Sequence, residues 1–307
     1  MSKRLLYLIP GLMLFISLML LTNHGLPPAD RAIYQTAIDQ QALVTAFGDY
    51  RLSDYPVRFF DGRYDHVIYQ GEIRRERPHL RTLAATAVMI DGRYQLIVPT
   101  IQRMSNTLGL IGLAQTTPID VSPSALQAAM LWHEGFHCYQ LSRFDEAITA
   151  QLPDPPSDPE GFVAREIDRR DELIKQYQAA EGLLDRLIKS QDDKEIHQLG
   201  REFLKQYHAR RQQLTQSAKL FESFYEMMEG TAQYVESLAY RAIAGPSAYE
   251  AYYDAPISGS DRGMAKYYRL GRKLCLALDK LQVDWSQSYH FDQSLVSVLE
   301  HVLEETK

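Results

Sequence analysis

In the stretch Trp132-His133-Glu134-Gly135-Phe136-His137-Cys138-Tyr139, two histidines stand four residues apart, and a glutamate directly follows the first. Residues four apart stack on one face of a helix, so both imidazoles reach a single cation at the roughly 2.0–2.1 Å typical of zinc–nitrogen bonds. Glu134, turned about 100° around the same helix, faces a water on that ion. The H-E-x-x-H arrangement thus reads as a hydrolytic metal site, with His133 and His137 holding Zn²⁺ and Glu134 acting as general base. The alternative is a pair of satisfied core histidines. Two neutral imidazoles in an apolar stripe beside a carboxylate are, however, costly without a partner.

A helix must carry this pattern, and the sequence supplies one. Ser122-Pro123 is an N-cap followed by proline at the first helical position, and Leu126, Met130, His133, His137 and Leu141 fall on one stripe. Cys138 adjoins His137 but points about 100° away from it, which makes it a poor fourth ligand. It and Cys275 are the only two cysteines of the chain. Each reads as a buried free thiol, although an oxidising compartment would allow them to pair.

A catalytic zinc needs one more protein ligand. Downstream, Glu222, Glu226, Glu229, Gln233 and Glu236 lie on one helical face, so periodicity does not choose among them. Glu229 alone is followed by Gly230 and then Ala232, small residues that let its helix approach the His133 helix closely. The segment Glu229-Gly230-Thr231-Ala232, taken with H-E-x-x-H, resembles the gluzincin class of zinc peptidases, in which a second helix supplies a glutamate ligand from an E-G-x-A stretch. The resemblance implies that His133, His137 and Glu229 bind Zn²⁺, that Glu134 is catalytic and that a peptide or protein is the substrate. It also implies a Tyr or His from a later helix as donor to the oxyanion, for which Tyr267, Tyr268 and His290 are candidates. Where thermolysin-like members carry an acidic residue four positions after the ligand glutamate, this chain has Gln233. Glu226 and Glu236 are candidates to accept the free N–H of a ligand histidine. No other cofactor is indicated.

Met1-Ser2-Lys3-Arg4 precedes an uncharged run from Leu5 to Leu21, which spans roughly 26 Å as a helix. A small-residue cleavage site is poorly formed after it, so an uncleaved anchor through residues 5–21 is expected, with a cleaved signal peptide as the alternative. Lys3 and Arg4 keep the N-terminus cytoplasmic, placing the rest in the periplasm or outside the cell. A net charge of −6 without a basic cluster argues against a nucleic-acid partner.

Residues 30–47 suit a short helix. Val57 to Phe60 with Tyr64 to Tyr69, and Thr86 to Ile90 with Tyr94 to Val98, flank Asp61-Gly62 and Asp91-Gly92 and predict two hairpins in a small antiparallel sheet. Arg74-Arg75-Glu76-Arg77 reads as a solvated loop, and Leu108 to Leu113 as an added edge strand that, by the resemblance, would hold a substrate. Ser157-x-x-Glu160 is a capping box after a proline-rich loop. From there to Ala244 two amphipathic runs, broken at Gln191-Asp192-Asp193, predict a solvated helical hairpin, with His197 and His208 on its surface. Gly245 to Gly263 reads as a loop, and Ala265 to Leu281 and Leu295 to Leu303 as helices.

The expected fold class is therefore α+β: a membrane segment (1–25), a mixed region with two hairpins (26–121), and a mostly helical zincin-like domain (122–307) with a helical-hairpin insertion (152–220). The expected activity is zinc-dependent hydrolysis of peptide bonds outside the cytoplasm. The alternative is a membrane-tethered zinc-containing binding or scaffold module without catalysis.

Overall fold

The computed structural model describes residues 25–110, 122–254, 262–281 and 284–305. The expected anchor at residues 5–21 lies outside these. Among the described residues no helix is long and apolar enough to cross a membrane.

Five strands form one sheet: β1 (Val57–Phe60), β2 (Asp65–Tyr69), β3 (Glu72–Glu76), β4 (Thr86–Ile90) and β5 (Arg93–Pro99), in the order β3-β2-β1-β5-β4. Both Asp-Gly hairpins form. Asp91 and Gly92 take φ of 50° and 76°, the left-handed pair that a tight two-residue hairpin turn requires, and Ile90 pairs with Arg93 across it. The sheet is not purely antiparallel, because β1 and β5 run parallel, with Phe59 opposite Val98. β1 and the stretch of β5 from Gln95 to Pro99 are buried on both faces and apolar apart from the paired Arg58 and Gln95, so these strands take the sheet centre and join the hairpins side by side. Arg74 to Glu76, expected in a loop, belong to β3, an edge strand whose exposed charges suit that position. A third tight turn at Gln70-Gly71 folds it back, and lacking the Asp-Gly signature it is harder to read from sequence.

The first helix, α1 (Pro28–Asp39), ends well before residue 47. Residues 108–110 lie in α2 (Ile101–Leu110) rather than in a strand, and 111–113 lie outside the described residues. The long α3 (Pro123–Gln151) is capped by the Ser122 hydroxyl, as its sequence predicts. It crosses the sheet with Gly135 inward, where a Cβ would collide with the Tyr50 hydroxyl and the Leu52 side chain. Trp132 Nε1 donates to the Ala37 carbonyl at 3.1 Å and ties α3 to the end of α1.

The helical half continues with α4 (Pro159–Glu166), α5 (Asp171–Lys189), α6 (Asp193–Arg211), α7 (Gln216–Ala244), α8 (Pro246–Tyr253), α9 (Ala265–Lys280), α10 (Trp285–Ser288) and α11 (Leu295–Glu305). Asp158, not Ser157, caps α4, because Pro159 takes its first position. The second amphipathic run is split: Thr215 caps a new helix, and Leu214 keeps the apolar period running across the break. The hairpin α5–α6 is not a solvated arm. Tyr177, Phe203, Tyr207 and Arg210 are buried, and Gly200 sits against Leu303 of α11. Part of the expected 245–263 loop is helical, as α8. One apolar core runs from Phe59 and Leu96 of the sheet through Trp132 and Phe136 to Val235, Leu274 and Leu299.

The crossing of α7 and α9 sets how these helices pack. A Cβ on Gly230 would land on the backbone of Gly271, and one on Gly271 would land on the Glu226 carbonyl. Gly230 thus brings α7 against α9, not against α3 as its sequence position suggests. The contact of α3 with α7 carries a polar tie: Gln140 Nε2 donates to Thr231 Oγ1 at 2.8 Å and to the Met228 carbonyl at 3.1 Å.

Candidate metal centre

Helix α3 presents His133 and His137, and α7 presents Glu229, at one point. His133 Nε2 and His137 Nε2 lie 3.1 Å apart, and Glu229 Oε2 lies 3.3 Å from the first and 3.2 Å from the second. Three ligands at about 2.0–2.1 Å from a tetrahedral ion would sit about 3.3 Å from one another. This group could hold a metal ion.

The protonation pattern supports that reading. Gln140 has its amide oriented by two acceptors at Nε2, so its Oε1 faces His137 Nδ1 at 2.7 Å and must receive the proton there. On the other imidazole, Nδ1 lies 2.8 Å from Glu236 Oε2, a carboxylate that Tyr253 also bonds at 2.7 Å. With both Nδ1 atoms donating, both Nε2 lone pairs and the Glu229 oxygen point at the same space. Such a triangle needs a cation or protons in it.

The electrostatics agree. Burial opposes charging His133, but Glu229 and Glu236 outweigh it and hold the imidazole well above its usual range. Burial likewise opposes charging His137, and the Glu229 carboxylate raises it nonetheless. Glu229, despite burial, is driven far below the usual carboxylate range by His137 and His133. A metal would displace the protons that otherwise fill this space.

Glu134 lies on the open side, lining a cavity of 540 Å³ together with His133, Gln233, Glu236 and Tyr268. The Tyr268 ring stacks on His133, with centroids 5.9 Å apart and planes at 12°. Burial, followed by the Glu229 charge, pushes the Tyr268 hydroxyl far above its ordinary value, so it stays protonated. The remaining wall includes Ile101, Met104 and Ser105 of α2. Among the described residues none of the lining belongs to a strand, so the expected substrate-holding sheet edge is replaced by a helix.

The other candidates lie elsewhere. Glu226 is one turn away, accepting from Tyr207 at 2.6 Å and Tyr177 at 3.3 Å, not from His133 or His137. Glu222 pairs with Arg210, and the Tyr267 hydroxyl donates to it at 3.4 Å, inside the helical core. His290 is exposed and packs on Phe144. His197 and His208 bond Asp193 and Glu300 on the surface, and both cysteines are buried and free. Gln140, three residues after His137 on the same helix, escapes the sequence reading, although its i,i+3 spacing is the signal that would find it. Of the two carboxylates expected to support a histidine, Glu236, two turns beyond Glu229, faces His133 Nδ1, and Glu226 faces neither histidine.

Comparison of the chain with protein-family models, with curated proteins and with solved structures finds no match.

Proposed function

We propose that the chain is a zinc-dependent peptide hydrolase that works outside the cytoplasm. The observation that carries this reading is the convergence of His133 Nε2, His137 Nε2 and Glu229 Oε2 within 3.1–3.3 Å, with Glu134 and His133 lining one cavity. Two imidazoles and one carboxylate suit zinc with a position left open. When bound, Zn²⁺ supplies Lewis acidity and lowers the pKa of water towards 7.

The chain's own residues do the rest. Glu134 takes a proton from the attacking water and passes it to the leaving amine. Tyr268, kept protonated, donates to the oxygen that gains charge as the carbonyl carbon becomes tetrahedral. Glu236 and Gln140 hold the two imidazoles in one tautomer and one orientation. Location outside the cytoplasm rests on the charged start and apolar run of residues 3–21.

Elemental analysis of the purified chain, paired with cleavage of a mixed peptide library before and after chelation, tests this. One equivalent of zinc and chelator-sensitive cleavage are expected. Absence of zinc sinks the metal centre; zinc without cleavage leaves a binding module in its place.

A further inference from the structure

Glu236 is held at both of its oxygens. Its Oε2 meets His133 Nδ1 at 2.8 Å, and its Oε1 accepts from the Tyr253 hydroxyl at 2.7 Å. A glutamate side chain turns about three bonds, so a carboxylate held at one oxygen alone still swings, and one held at both does not. Burial, and then the Glu236 charge, push the Tyr253 hydroxyl well above its ordinary value, so it remains a donor to that carboxylate.

Tyr253 ends α8, a helix of eight residues, which is too short to hold its shape in water unaided. Arg272 of α9 fastens it. This side chain is 1% exposed. Its Nη1 donates to the Tyr249 hydroxyl at 2.8 Å, and its Nη2 donates to the Tyr253 carbonyl at 2.8 Å and to the Asp254 carboxylate at 3.5 Å. The guanidinium also lies 5.1 Å from the centre of the Tyr253 ring. The last carbonyls of a helix have no partner within it, and a cation there meets the negative end of the helix dipole. Arg272 directly follows Gly271, the glycine at the close crossing of α7 and α9, so the crossing fixes where the guanidinium sits. Four residues earlier on the same face of α9, Tyr268 stacks on His133.

We infer that Tyr253 is a positioning residue for the candidate metal centre, acting on His133 through Glu236, and that Arg272 seats it there by closing the end of α8. The inference rests on the metal-centre part of the proposed function and needs nothing of the peptidase reading.

Zinc affinity of the full chain, read by competition with a chromophoric chelator across a cycle of variants, tests this. Tyr253→Phe keeps the ring and removes the hydroxyl. It should hold zinc about 3- to 10-fold more weakly, below the 10- to 100-fold of a group that bonds a ligand histidine directly. In a chain carrying Glu236→Ala the same change should alter affinity by less than about twofold, because the hydroxyl then has no carboxylate to hold. A role confined to packing would give the same loss in both backgrounds. Arg272→Lys keeps the charge but loses the fork that spans two acceptors, and should weaken zinc about two- to threefold, again only where Glu236 is present. It carries the test if Tyr253→Phe does not fold. Parental affinity in Tyr253→Phe, or an equal loss with and without Glu236, overturns the inference and leaves the metal centre standing. A parent that binds no zinc removes both.

Discussion

His133 Nδ1 and Glu236 Oε2 lie 2.8 Å apart, so α7 meets this imidazole at both nitrogens, with Glu229 at Nε2 and Glu236 at Nδ1. One helix therefore supplies both a candidate ligand and the group that orients another candidate ligand. Glu229→Ala should abolish or severely weaken zinc binding. Glu236→Ala should weaken it about 10- to 100-fold, while Glu226→Ala, whose partners are tyrosines, should leave it within a few-fold of the parent. Competition with a chromophoric chelator ranks the three. If Glu226→Ala loses more zinc than Glu236→Ala, the assignment of the supporting carboxylate is wrong.

Catalysis should separate from metal binding at two positions. Glu134→Gln is expected to keep zinc and lose about 10²–10⁴ in rate, the scale of general-base catalysis. Tyr268→Phe is expected to keep zinc and lose about 10²–10³ in kcat, as oxyanion donors do. Initial rates on one peptide, with zinc content measured for each variant, check both. Unchanged turnover in Glu134→Gln removes it as the base.

At the α7–α9 crossing there is no room for a methyl group, whereas Gly182 on α5 has open space around its Cβ position. Gly230→Ala should cost about 3 kcal/mol or more through forced separation of two backbones. Gly182→Ala should gain about 0.5–1 kcal/mol from helix propensity. Denaturant unfolding of both variants reads the contrast; similar stabilities would mean that the two helices part easily.

Glu226 gives the fold a pH dependence of its own. Burial first, and then the Glu222 charge, push its carboxyl from 4.5 up to about 7, against the pull of Arg211 and the Tyr207 hydroxyl. A carboxyl raised in the folded state favours folding while protonated. Its contribution is thus whole below about pH 4.5 and is lost as pH rises through about 7. The stability of the parent relative to Glu226→Gln should fall across that window, when both are unfolded in urea at several pH values. Parallel curves would show that Glu226 is ionised throughout.

Much of this arrangement is legible in the sequence because its signals are local. Asp91-Gly92 states its own turn, Ser122-Pro123 states the start of α3, and the spacing of His133 and His137 states a shared face. What escapes depends on partners distant in the chain. The polar stripe Glu222 to Glu236 looks uniform, yet its first half faces Arg210, Tyr177 and Tyr207, and its second half faces the histidines. Nothing in its period marks where the neighbour changes. Gly230 likewise signals a close approach without saying to which helix, and Gly271 supplies the answer.

The donors of the centre are also separated in time. Glu229 follows His137 by 92 residues, which at about 5–20 residues per second is roughly 5 to 18 s of synthesis. During that interval the growing chain offers the two imidazoles without Glu229, and the Gln140 amide without its partners Thr231 and Met228. Two of the three donors of the candidate centre exist before the third is made. Closure waits for α7, so a complete centre is a record that the second half of the chain has been made and has docked.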